Sequence, residues 1–304
     1  MKLTPKYRGR RKRATTSPKE RLVDSKFFEL PPELRNYIYE LVLAHPAENV
    51  YMSWTPGKSR KTQKPEITLR DSKAPLNYLK YVNRQLRQET KGFEIMVNPI
   101  VFAASRNEIA IKRFFEFTTC CSNAKLKWLR RVVIEAEILR QNEDSYDWAR
   151  RRVDSILDLF MFCANNAQTQ VMLYVPEFEI ICSKPAWPGQ YISYAFLGLG
   201  FALARAYRGQ DLTYLAPEFL DDSSNAYERL AGKMLRRHRA AIAEFHGRTD
   251  NLRFMPRVVD WDPDAFRAKA LEGWSKYARD PTAMPPGAVD AWVRCAKGWM
   301  EKGL

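Results

Sequence analysis

Arg131-Val132-Val133-Ile134-Glu135-Ala136, then Trp148–Ala164, then Gln170-Val171-Met172-Leu173-Tyr174-Val175 read in succession as strand, helix and strand. The first and third stretches are short apolar runs of strand length, rich in β-branched residues. Between them Val153, Ile156, Leu157, Phe160 and Met161 recur at helical spacing. A connection of that length, with a helix in it, suits a crossover between parallel strands rather than a hairpin. Pro176 is expected to stop the second strand, because proline brings no N–H to a ladder.

The same rhythm extends toward the N-terminus. Ile100–Ala103 reads as a short strand, and Glu108–Phe117 as a helix with Ile111, Phe114 and Phe115 inward. Leucine-rich-repeat-like arrays share this alternation, but no fixed repeat period is found. Leu76, Leu79, Val82, Leu86, Phe93 and Met96 predict one long amphipathic helix, ended by Pro99. Val50–Trp54 alternates like a strand, with Glu66–Leu69 as its partner across a basic connection holding Lys58, Arg60, Lys61 and Lys64.

Toward the C-terminus the chain reads as helical from Tyr191 onward. Tyr191–Tyr207 is apolar almost throughout, and Tyr227–His246 is amphipathic. Asp262-Pro263 starts a helix through Tyr277, with Asp262 as the cap. Pro285-Pro286 opens a last helix with Trp292, Cys295 and Trp299 toward one side, after a linker over 280–286. Tyr191–Tyr207 is about as short as a bilayer span can be and contains Arg205, so a buried core helix is expected, with no membrane partner. The fold class is α+β or α/β.

Ahead of all this lies Phe27-Phe28-Glu29-Leu30-Pro31-Pro32-Glu33-Leu34-Arg35-Asn36-Tyr37-Ile38-Tyr39-Glu40-Leu41-Val42-Leu43. Two prolines suit a first helical turn, whose N–H groups have no partner within the helix. Leu34, Ile38, Leu41 and Val42 then form one apolar stripe, flanked by Tyr37 and Tyr39. A helix this short needs packing to persist, so its stripe meets either its own core or a partner.

Residues 30–43 resemble the opening helix of the F-box-like proteins of filamentous fungi. Leu79-Lys80-Tyr81-Val82-Asn83-Arg84-Gln85-Leu86-Arg87-Gln88-Glu89-Thr90 resembles the helix that follows in them, and Val97–Phe102 the next strand. The likeness covers residues 27–104. In this chain residues 46–75 separate the two helical blocks, where an F-box proper is a compact run of helices. The resemblance implies a protein-interaction adaptor: a substrate receptor of an SCF-type ubiquitin ligase. Leu30, Pro31, Leu34, Ile38 and Leu41 would meet a Skp-type adaptor, and the body from about Phe102 would bind a substrate protein.

The chain has 304 residues, 45% hydrophobic, which is ample for a core, and a net charge of +15. Residues 1–21 hold nine basic groups and one acidic, so a basic tail over 1–26, expected to be disordered, precedes the module over 27–104 and a body over 105–304. Arg10-Arg11-Lys12-Arg13 suits a nuclear-import signal in an intracellular protein. A competing function is a nuclear scaffold that binds polyanions or nucleic acid without sequence preference, through this tail and through Arg229, Lys233, Arg236 and Arg237 on one helix.

The composition gives little to catalysis. Five cysteines (Cys120, Cys121, Cys163, Cys182 and Cys295) fit no metal or disulfide spacing. His45, His238 and His246 form no ligand pair, and Asp221-Asp222 and Glu135/Glu137 lack partners that would mark an acid/base site. A non-enzyme without cofactor or metal is expected.

Overall fold

The computed structural model describes residues 25–45, 50–55, 64–69, 75–103, 110–135, 156–180, 192–210, 214–215, 242–245, 247–258, 260–278 and 280–304. The chain divides into two units, Met1–Val42 and Leu43–Leu304.

The first unit holds α1 (Lys26–Glu29) and most of α2 (Pro32–Leu43). Helix α1 lies at the edge of the segment expected to be tail, and Ser25 caps it by accepting from the Phe27 N–H at 3.4 Å. Arg35, one turn into α2, donates to the carbonyls of Leu30 at 2.6 Å and Phe28 at 3.3 Å. The rings of Phe27 and Tyr39 lie 5.7 Å apart, which ties α1 to the same side of α2.

The second unit is built on a sheet of six strands: β1 (Val50–Thr55), β2 (Lys64–Leu69), β3 (Ile100–Ala103), β4 (Arg131–Glu135), β5 (Gln170–Ile180) and β6 (Leu252–Val258). The order is β2-β1-β3-β4-β5-β6. The pair β1–β2 is antiparallel, and every other neighbouring pair is parallel. The expected parallel pairing is therefore present, with one antiparallel edge strand.

From β3 onward, strand order follows chain order. Right-handed crossovers then place the connecting helices among the described residues on the same face. Those helices are α5 (Ala110–Cys120), a short α6 (Asn123–Leu126), α7 over 156–165 and α8 (Ile192–Arg208). Two further helices, α9 (Pro263–Tyr277), packed on α8, and α10 (Ala288–Lys302), packed on α9 and β6, join the layer. Under it the inward row Val50, Ile100, Val132, Val171 and Leu252 is sealed from solvent. The next row adds Phe102, Ile134, Leu173 and Phe254. On the opposite face Tyr51, Val133, Glu135, Met172, Tyr174, Arg253 and Met255 are half-buried.

Polar residues just before the strands hold the turns. Asn98 donates to the Leu43 and Glu94 carbonyls and accepts from the His45 N–H. Thr169 donates to the Leu129 carbonyl, and Asn251 to those of Cys163, Asn166 and Thr169. These amides and this hydroxyl satisfy carbonyls in helices and turns that precede the strands.

Three expectations need correction. The helix predicted from Leu76 to Met96 is broken into a 3-10 turn at Leu79–Tyr81, α3 (Arg84–Glu89) and α4 (Phe93–Val97). Asn83 starts α3 by accepting from the Leu86 N–H at 2.7 Å, and Gly92 enters α4 at φ 83°, outside helical geometry. Strand β5 runs through Pro176 to Ile180, and a register shift against β6 between Tyr174 and Glu179 accommodates the irregularity. The region after Tyr191 is not wholly helical, because Leu252–Val258 forms the edge strand β6. Its Leu252 and Phe254 alternate inward with Arg253 and Met255, a period-two pattern that Pro256 obscures.

The apolar helix read at Tyr191–Tyr207 is a core helix. Phe196, Leu197, Leu199, Phe201, Leu203, Ala204 and Tyr207 of α8 are all buried. Gly200 lets Trp299 of α10 lie against its backbone: a Cβ there would stand 2.1 Å from the indole. Among the described residues no helix is long and apolar enough to cross a membrane.

Candidate functional site

Helix α2 carries the candidate site on one face. Pro32 opens it, and the Leu34 and Arg35 N–H groups both reach the Pro31 carbonyl at 3.1 Å. Proline in the first turn costs the helix no bond, so the Leu-Pro-Pro sequence sets where the helix begins. The side chains then divide into two arcs. Tyr39 and Leu43, four apart, are each 1% exposed. Leu34 is 51%, Tyr37 60%, Leu41 62% and Val42 52% exposed, with Ile38 half-buried between them. Residues three and four apart share a helix face, so these five make one continuous apolar strip.

That distribution differs from an ordinary amphipathic helix, in which the solvent side is polar. Here Tyr39 and Leu43 are the buried positions, and the residues with the clearest apolar periodicity face water. Of the residues expected to meet a partner, Pro31, Leu34 and Leu41 are exposed, and Leu30 and Ile38 are half-buried. Tyr37 and Val42 enlarge the strip. No charged group lies within it, and Glu33 and Glu40 are exposed beside it. Such a surface offers area and shape to a partner, and no group for proton transfer or metal binding.

The import segment Arg10–Arg13 and the basic residues Arg229, Lys233, Arg236 and Arg237 lie outside the described residues. So do Cys182, Asp221, Asp222, Glu137, His238 and His246. His45 is half-buried, and its backbone N–H donates to Asn98 at 2.6 Å. Glu135 accepts from the Tyr51 hydroxyl at 3.4 Å. Burial, and secondarily the Glu135 carboxylate, raise the Tyr174 phenol. This trio lacks the nucleophile-and-base geometry of an active site.

Cys163 is buried, and desolvation pushes its thiol up to about 12 against a weaker pull from Arg208. Cys121 and Cys295 are raised for the same chief reason. Thiols with raised values are poor nucleophiles and poor metal ligands. Among the described residues no three His, Cys, Asp or Glu side chains converge as a metal site.

No protein-family model, curated protein or solved structure matches the chain.

Proposed function

We propose that this protein is a protein-interaction adaptor whose α2 strip docks onto a Skp-type subunit of an SCF-type ubiquitin ligase, leaving the sheet-based unit to hold a substrate protein. One observation carries the reading: Leu34, Tyr37, Leu41 and Val42 are all more than half exposed on a helix whose Tyr39 and Leu43 are buried. Contiguous exposed apolar surface on a soluble chain marks an interaction site. Burying one leucine is worth about 1.5–3 kcal/mol, so two leucines and a tyrosine at the centre of such a strip would contribute a large share of the energy of a contact. The Leu-Pro-Pro start supports the reading from the sequence side, since it resembles the docking helix of F-box-like proteins.

The test is co-purification of the full chain with a Skp-type adaptor, beside the Leu34→Asp/Leu41→Asp variant. Both positions are exposed, so the variant is expected to fold and to lose the adaptor. A folded wild type that retains no adaptor removes the ubiquitin-ligase reading.

A further inference from the structure

A cavity of about 440 Å³ lies in the second unit. Met52 and Ile67, paired across β1 and β2, form part of its wall with Leu76, Ile95 and Phe117. Its volume falls in the range of small-molecule sites. Lys80, Arg87, Lys91 and Lys125 line it with a single carboxylate, that of Glu94. Among the described residues none of these four cations has a carboxylate within ion-pair distance. Unpaired like charges converging on an apolar-walled cavity repel one another and are relieved by an anion.

Asn77 adds an independent signal. It lines the cavity and is 1% exposed. Its Nδ2 donates to the Thr90 carbonyl at 2.9 Å, to Thr90 Oγ1 at 3.3 Å and to Glu94 Oε2 at 3.2 Å. Thr90 Oγ1 gives its own proton to the Leu86 carbonyl at 2.7 Å, so all three partners of Asn77 act as acceptors. The amide can therefore point only one way, with nitrogen toward them. Its Oδ1 is then fixed as a buried acceptor that no described residue satisfies. A buried acceptor without a donor is costly, and a ligand that brings one gains the difference.

We propose that this cavity is a binding site for a small organic anion. Its apolar body would sit against Met52, Ile67, Leu76, Ile95 and Phe117. Its acidic group would lie among Lys80, Arg87, Lys91 and Lys125, and an N–H or O–H would donate to Asn77 Oδ1. The three features are complementary in kind: wall, charge and single acceptor each select one part of the ligand.

The probe for this chemistry is 6-anilinonaphthalene-2-sulfonate, which joins aromatic rings, a sulfonate and one N–H. Calorimetric titration into the full chain is expected to show one saturable site. Arg87→Glu/Lys91→Glu, at two exposed positions that leave the fold intact, should weaken it about tenfold or more. The uncharged N-phenylnaphthylamine should bind more weakly than the sulfonate and ignore the reversal. The ether analogue, with oxygen in place of N–H, should lose about tenfold, which tests Asn77 without mutating it. Leu34→Asp/Leu41→Asp should leave the titration unchanged. The proposal is overturned if no saturable binding occurs, or if charge reversal has no effect. It is equally overturned if the ether binds as tightly as the amine, or if the α2 variant removes the signal.

Discussion

Helices α2 and α8 are both apolar by sequence and end in opposite environments. Helix α8 has seventeen mostly apolar residues, and β5, α9 and Trp299 of α10 pack against it. Helix α2 has twelve residues and a single conspicuous stripe, and that stripe faces solvent. Hydrophobic periodicity therefore reports that a face seeks burial, not that its own chain provides it. The buried residues of α2, Tyr39 and Leu43, are fewer and less periodic than those that stay exposed. A helix apolar on every side, by contrast, has no stable place in water except inside a core.

The comparison is tested most strongly inside α8. Phe201 is sealed, with its ring 5.5 Å from that of Trp299. Phe201→Ala is expected to cost about 3–5 kcal/mol, read as a fall in the urea midpoint. A loss under about 1 kcal/mol would mean that α8 is not a core helix.

Gly200→Ala probes the same contact from the other side. The new methyl would meet the Trp299 indole, which cannot swing away because Phe196 and Phe201 flank it at 5.6 and 5.5 Å. Overpacking of this kind costs about 1–3 kcal/mol. An unchanged thermal midpoint would show that α8 and α10 lie further apart.

A subtler effect comes from Cys163. Burial raises its thiol from 9.0 to about 12, so the folded chain keeps a proton that the unfolded chain releases above about pH 9. Stability from this group is complete below pH 9 and declines as pH rises toward 12, by up to about 1.4 kcal/mol per pH unit. Urea midpoints across that window should fall less steeply in Cys163→Ala than in wild type. Equal slopes would place the thiol in a more solvated site.

Much of this architecture was legible in the chain. The β3, β4 and β5 runs are short and apolar with helical patterns between them, and local period alone sets those elements. Asp262 announced α9 by the chemistry of a cap, and its Oδ1 accepts from the Asp264 and Ala265 N–H groups. The failures lie where a side chain competes with a pattern. Asn83, Thr90 and Gly92 break a helix that Leu76–Met96 periodicity supports, because their turn and cap bonds outweigh the continuing stripe. Pro176 and Pro256 hid strand residues, since both lie in segments where β5 and β6 pair irregularly. The apolar strip of α2 was readable residue by residue, but its exposure was not. Exposure depends on which face the rest of the chain covers. The Asn77 cavity was invisible in sequence because it gathers residues from Met52 to Lys125, a set that only the fold brings together.

The smallest expected effect on stability belongs to α2, and it carries the central claim. Leu34→Asp/Leu41→Asp places carboxylates where leucines already face water, so the urea midpoint should shift by no more than about 0.5 kcal/mol per site. Titrating a purified Skp-type adaptor into the full chain and into this variant measures the claim directly. Saturable binding by wild type, weakened about a hundredfold or more in an equally stable variant, is the predicted result. An adaptor that binds neither protein, or both alike, would contradict it. A variant that unfolds would show the strip to be core after all.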